Sequence, residues 1–167
     1  MYKVNDAVFY GVHGVCIVEG VSKRDFCGTV SDYYTLQPVY NSRSKVFVSV
    51  ERAENCAVMR KILTKDEVLE IIDSLNADTN IWIDDDAERK IKFNEVLKNG
   101  TRNEVAFLIK TVYEQKAKLI SENKKIHAAD ERFLEEAEKA LHEEFAYVLS
   151  IPKENVQKFI CERLDLE

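Results

Sequence analysis

Hydrophobic and polar positions follow two different periods along this chain. Over residues 2–50, β-branched and aromatic residues gather in short runs: Ala7 to Tyr10, Val15 to Val18, Tyr33 to Tyr40 and Lys45 to Val50. In the last run Val46, Val48 and Val50 fall on one side and Phe47 and Ser49 on the other, the alternation of a half-buried strand. Turn chemistry separates the runs. Gly11, Gly14 and Gly28 accept positive φ at little steric cost, and Asn41-Ser42-Arg43-Ser44 reads as a polar hairpin loop. Several short antiparallel strands within about 50 residues predict a small β-barrel, because closure removes the edges that an open sheet would expose. The Asp32-Tyr33-Tyr34-Thr35-Leu36 strand is expected to supply much of its core.

From residue 61 the period becomes helical. Thr64-Lys65-Asp66-Glu67 has capping-box spacing, and Val68, Leu69, Ile71, Ile72 and Leu75 form an apolar stripe behind it. Asp84, Asp85 and Asp86 place negative charge at the start of a second helix carrying Ile91, Phe93, Val96 and Leu97 and ending at Asn99-Gly100. Thr101-Arg102-Asn103-Glu104 repeats the capping box, followed by Val105, Leu108, Ile109, Val112 and Tyr113. A fourth helix is predicted from Asp130 to Leu149, burying Phe133, Leu134, Ala137, Ala140, Leu141, Phe145 and Val148. Pro152 suits the first turn of a short fifth one. The stretch from Asn76 to Asp84 has neither period and holds the single tryptophan, Trp82.

These patterns predict an α+β chain of two domains: a β-barrel over residues 1–58 and a compact all-α domain of about five helices over residues 62–167. The 167 residues are 46% hydrophobic, enough for a core in each. Cys16, Cys27, Cys56 and Cys161 are scattered without a CxxC pair, and no apolar leader follows Met1, as expected of reduced thiols in a cytoplasmic protein. No run approaches the roughly 18 apolar residues of a membrane span.

Charge narrows the chemistry. The net charge is −6, and residues 126–167 hold eleven acids against five bases, whereas residues 84–125 hold ten bases against eight acids. A strong autonomous DNA binder is far more basic, so any DNA contact is expected to be weak and delivered by another protein. His13, His127 and His142 sit in separate elements without HxxxH or HExxH spacing, and no GxxxxGK[ST], GxGxxG or GxSxG occurs. Neither an enzyme, a metal nor a cofactor is expected. His13, between Gly11 and Gly14, is expected to serve a turn.

The order of elements, together with several stretches, resembles the CarD/CdnL family of bacterial transcription regulators, whose N-terminal module is shared with transcription-repair coupling factors. The matching stretches are Tyr2-Lys3-Val4-Asn5-Asp6-Ala7-Val8-Phe9-Tyr10, His13-Gly14-Val15, Tyr33-Tyr34-Thr35-Leu36 and Val48-Ser49-Val50-Glu51-Arg52-Ala53-Glu54. In the second half, Arg89-Lys90-Ile91-Lys92-Phe93-Asn94-Glu95-Val96-Leu97-Lys98-Asn99-Gly100 resembles the family's basic helix ending in a glycine turn. The likeness spans roughly residues 2–150, and no helicase motif accompanies it.

The resemblance implies a Tudor-like barrel that docks on the RNA polymerase β subunit by edge-strand pairing, here through Lys45, Phe47, Val48 and Ser49 with Arg24 as a nearby charged contact. At least one of Val46 and Val48 is expected to be core. It further implies a helical domain that touches promoter DNA at the upstream edge of the transcription bubble, a tryptophan wedging into the minor groove while cations hold phosphates. Trp82 is the candidate wedge, and Arg89, Lys90, Lys92, Lys124 and Lys125 are the candidate phosphate contacts. In the family pattern the wedge position falls near Asp86 or Ala87, one helical turn after Trp82, so packing of the interhelical connection stands as the other role for Trp82. The implied function is stabilisation of the open promoter complex. The alternative is a polymerase-docked adaptor whose acidic helices recruit another protein. A monomer is expected, although an exposed barrel edge would permit a strand-swapped dimer.

Overall fold

A computed structural model of the chain describes residues 1–55 and 59–165. Cys56 lies outside the described residues. The chain divides into two compact units, Met1–Leu63 and Thr64–Glu167.

In the first unit, strands β1 (Ala7–Tyr10), β2 (Val15–Phe26), β3 (Thr29–Pro38), β4 (Val46–Ser49) and β5 (Met59–Lys61) form one antiparallel sheet in the order β4-β3-β2-β1-β5. A short helix, α1 (Val50–Asn55), follows β4. The core lies on one face: Val8, Cys16, Val18, Tyr34, Leu36, Val48, Ala53 and Met59. Tyr34 is fully buried, yet its hydroxyl accepts from the Tyr2 amide at 2.9 Å and donates to Glu54 at 3.4 Å, so burial leaves no polar group unsatisfied. Burial raises its pKa above the ordinary tyrosine value.

Two expectations need correction here. The sheet is not closed among the described residues: β4 and β5 lie at opposite ends of the ladder. The chain passes from β4 directly into α1, which packs Ala53 into the core. Strand β2 also continues to Phe26, well past Val18, and β3 starts at Thr29. The register skips Glu19 between Val18 and Gly20, a bulge that bends the strand and carries pairing on into a long hairpin. Its turn is Cys27-Gly28, with φ of 55° and 83°. The Asp25 carboxylate accepts the Gly28 amide at 2.8 Å and holds that turn.

His13 closes a 3₁₀ turn, Gly11–His13, and its exposed ring stacks on Tyr10 with centroids 5.6 Å apart. Gly14, buried with φ of 65°, turns the chain back so that its carbonyl accepts the Tyr10 amide at 2.9 Å.

The second unit packs five α-helices: α2 (Lys65–Ser74), α3 (Asp86–Asn99), α4 (Arg102–Ser121), α5 (Ala128–Leu149) and α6 (Val156–Arg163), the last entered through a 3₁₀ turn after Pro152. Both capping boxes form: Thr64 with Glu67 and Thr101 with Glu104. Asp85 caps α3 by accepting the Ala87 and Glu88 amides. The core is drawn from every helix, including Val68 and Ile72, Phe93 and Val96, Leu108 and Val112, Leu141 and Phe145, and Val156. Ile91, expected on the apolar face of α3, is 71% exposed. The buried stripe of α3 is Arg89, Phe93 and Val96, spaced i, i+4, i+7, and Ile91 projects from the opposite side. Helix α5 begins at Ala128, which puts Asp130 in its first turn and fully out of solvent. No helix of the described residues is long and apolar enough to cross a membrane.

Candidate functional site

Among the described residues strand β4 pairs on one side only, with β3, in the register Tyr33–Ser49, Tyr34–Val48, Thr35–Phe47 and Leu36–Val46. An edge strand presents alternate backbone N–H and C=O groups for pairing with another chain. The side chains divide as the alternation predicts. Val48 is 3% exposed and Val46 packs on the core, so at Val48 only the backbone faces a partner. Phe47 and Ser49 take the other face.

Arg24 comes to the same face from β2, two strands away, and its guanidinium carbon sits 3.6 Å from the Phe47 ring centroid. Its Nε is buried and has no hydrogen-bond partner among the described residues. The Ser49 hydroxyl accepts the Arg52 amide at 3.1 Å, tying the end of the strand to the start of α1. Lys45 is paired with Glu19 of the bulge at 2.7 Å and holds that carboxylate beside the strand. Within the strand expected to supply much of the core, Tyr34 and Leu36 are buried while Tyr33 turns outward to meet Phe26, which lies beyond the predicted run Val15 to Val18. The two rings lie 4.9 Å apart on the Phe47 face. The available signal was parity: residue 33 alternates with buried Tyr34 and must point the other way.

In the helical unit the predicted DNA contacts separate into two groups. Lys90 is exposed, Lys92 is half-buried and lies 3.5 Å from Glu95, Lys124 is bound to Glu122 at 2.8 Å, and Lys125 is exposed. Lys90 and Arg132 flank an open groove of about 280 Å³ between α3 and α5, floored by Phe133.

Arg89 is different. It is 2% exposed and its guanidinium donates to Asp130 Oδ1 and Oδ2 at 3.0 and 2.9 Å, to Asp86 at 2.6 Å, and to the carbonyls of Ile83 and Asp84 at 2.7 and 3.3 Å. That set uses every N–H an arginine has, so Arg89 presents none to a phosphate. The expectation of a surface cation fails because a basic residue on a helix resembles its exposed neighbours in sequence, and only α5 supplies the buried carboxylate that draws it inward. The hydrogen bond that Arg89 donates to Asp86 holds the Asp86 carboxyl below its usual range.

Trp82 is half-buried. Its ring stands edge-on to Phe93, with centroids 6.3 Å apart, and the Arg89 guanidinium lies 4.2 Å from its centroid. The expected role in packing the interhelical connection is thus present in the structure. Among the described residues, no three His, Cys, Asp or Glu side chains are arranged to hold a metal ion.

No curated protein matches the chain. The first unit, however, matches a family model over nearly its whole length, residues 2–63, and the matched segment contains the β4 edge, Arg24 and Phe47. The model is that of the CarD-like/TRCF RID domain, so this chain carries at its N-terminal side an RNA polymerase-interacting domain of the transcription machinery.

Proposed function

We propose that the protein is a non-enzymatic transcription regulator that docks on the RNA polymerase β subunit through β4 and contacts promoter DNA at the upstream edge of the bubble through its helical unit. The observation that carries the docking is the unpaired side of β4, flanked by the Arg24–Phe47 stack. Added-strand pairing draws affinity from the backbone and specificity from the side chains alternating along the edge. Lys90, Lys92 and Lys125 serve as phosphate contacts in this reading, and Trp82 offers the ring surface that Arg89 and Phe93 leave uncovered.

Such a factor stabilises the open complex only if it binds the melted state better than the closed one. A tenfold shift needs about 1.4 kcal/mol of differential binding. Open-complex lifetime on a linear promoter tests this: saturating protein is expected to lengthen it, and an unchanged lifetime removes the mechanism.

A second reading, the adaptor that never meets DNA, draws support from the commitment of Arg89 to buried partners and from the exposed carboxylates of Asp84 and Asp85 beside Trp82. Footprinting of the polymerase–promoter complex separates the two. Added protection upstream of the bubble supports DNA contact, and its absence supports the adaptor.

A further inference from the structure

Residues 75–85 join α2 to α3 without regular structure, yet anchors hold them along most of their length. Lys110 of α4 donates to the Leu75 and Ala77 carbonyls at 2.9 and 2.7 Å. The buried Thr111 hydroxyl accepts the Ile81 amide at 3.2 Å, and Glu114 accepts from the Asn80 side chain at 3.0 Å. The side-chain Oδ1 of Asn80 in turn accepts the Trp82 amide at 2.8 Å. Arg89 completes the set from α3 by taking the Ile83 and Asp84 carbonyls while it is itself held by Asp130 of α5. A long irregular connection with few contacts would sample many conformations, whereas one fastened from α4 and from an Arg89 itself held by α5 presents its side chains in one arrangement.

We propose that Arg89 is a positioning residue: it locks the 75–85 connection to α5 and covers one side of the Trp82 ring, so that the rest of the indole is offered to DNA as a pre-formed plate. This rests on the reading above in which Trp82 touches DNA. Pre-organisation has a physical consequence, because an aromatic side chain already fixed in place does not lose conformational freedom at the moment of contact. Asp86 contributes through the exposed arm of the network and Asp130 through the buried one.

Trp82 is the single tryptophan, so its fluorescence reports this site alone. The experiment compares the full-length wild type with Arg89→Met and Asp86→Ala in three readouts: acrylamide quenching, protection of DNA upstream of the bubble in the polymerase–promoter complex, and binding to a β-subunit fragment. Arg89→Met is expected to raise the quenching constant about twofold through local opening, and Asp86→Ala to raise it by less. Upstream protection should fall in the same order while β-fragment binding is unchanged. Asp86 is a surface residue, so its variant remains informative even where Arg89→Met does not fold. Quenching that stays at the wild-type value in Asp86→Ala and in any folded Arg89→Met protein overturns the proposal. Loss of protection with Trp82→Ala but not with folded Arg89→Met also overturns it. Raised quenching in the variants, with no protection even by wild type, supports the positioning and rejects the DNA reading instead.

Discussion

Arg89 of α3 grips Asp130 of α5 through two parallel hydrogen bonds, Nε to Oδ1 at 3.0 Å and Nη2 to Oδ2 at 2.9 Å, with the two side chains 2% and 0% exposed. Forming this pair removes both charges from water, a cost that the bidentate geometry and the further bonds to Asp86 and the loop carbonyls offset. Removing one partner leaves the other charge buried without compensation. Asp130→Ala is therefore expected to destabilise the protein by about 3–5 kcal/mol. Adding Arg89→Met to it should cost much less than Arg89→Met alone. Urea unfolding of the two single variants and the double variant measures this coupling, and additive losses would contradict it.

Gly100 ends α3 without needing left-handed backbone: its φ is −68°. The constraint is space. A Cβ added there would lie 2.4 Å from the Val96 carbonyl oxygen, which accepts the Gly100 amide. Gly100→Ala is expected to cost about 1–3 kcal/mol of thermal or chemical stability through this backbone clash. A variant as stable as wild type would mean that the α3–α4 turn relaxes freely.

At the β4 edge the prediction concerns binding without folding. Phe47 faces away from the core beneath Arg24, so Phe47→Asp should leave the secondary structure intact by circular dichroism while binding to a β-subunit fragment is lost. Arg24→Ala should weaken binding by about 1–2 kcal/mol, as truncation of an interface arginine commonly does. Ser49→Asp is a milder test of the same edge, since aspartate can still accept the Arg52 amide as Ser49 does. Retention of full binding by Phe47→Asp would move the docking surface elsewhere on the domain.

His142 of α5 supplies a pH prediction. Burial pushes its imidazole below the ordinary value of 6.5, with Lys153 acting in the same direction and Glu138 opposing. The folded state thus favours the neutral ring, and as pH falls the unfolded chain takes up the proton first. The stabilising contribution is complete above pH 6.5 and is lost progressively as pH drops through the lowered folded-state value. His142→Gln should flatten the stability–pH curve on the acid side of the ordinary value of 6.5, followed by denaturant midpoints. A slope equal to wild type would assign the acid sensitivity of this region to carboxylates.

What the sequence determined by itself was local. The capping boxes at Thr64 and Thr101, the aspartate cap of α3, and the alternation that buries Val48 and turns Phe47 outward all form as their spacing requires. Each depends on residues a few positions apart, whose geometry a helix or strand fixes. The resemblance in residues 2–63 was legible for a related reason: its motifs are contiguous turns and strands. The long hairpin was not, because the bulge at Glu19 disrupts the simple alternation of β2.

Other features depended on partners distant in the chain. The open order of the sheet, with β4 and β5 at opposite ends, is a tertiary outcome, and the pairing of Arg24 with Phe47 follows from three strands lying side by side. Arg89 carries the clearest lesson. Its neighbours Lys90 and Lys92 share its charge, and although its i+4 and i+7 spacing to Phe93 and Val96 sets it on the inner face of α3, the partner that lets the charge stay there is Asp130, forty-one positions away. A charge leaves water only where an opposing charge is already held in place, and that juxtaposition belongs to the tertiary structure.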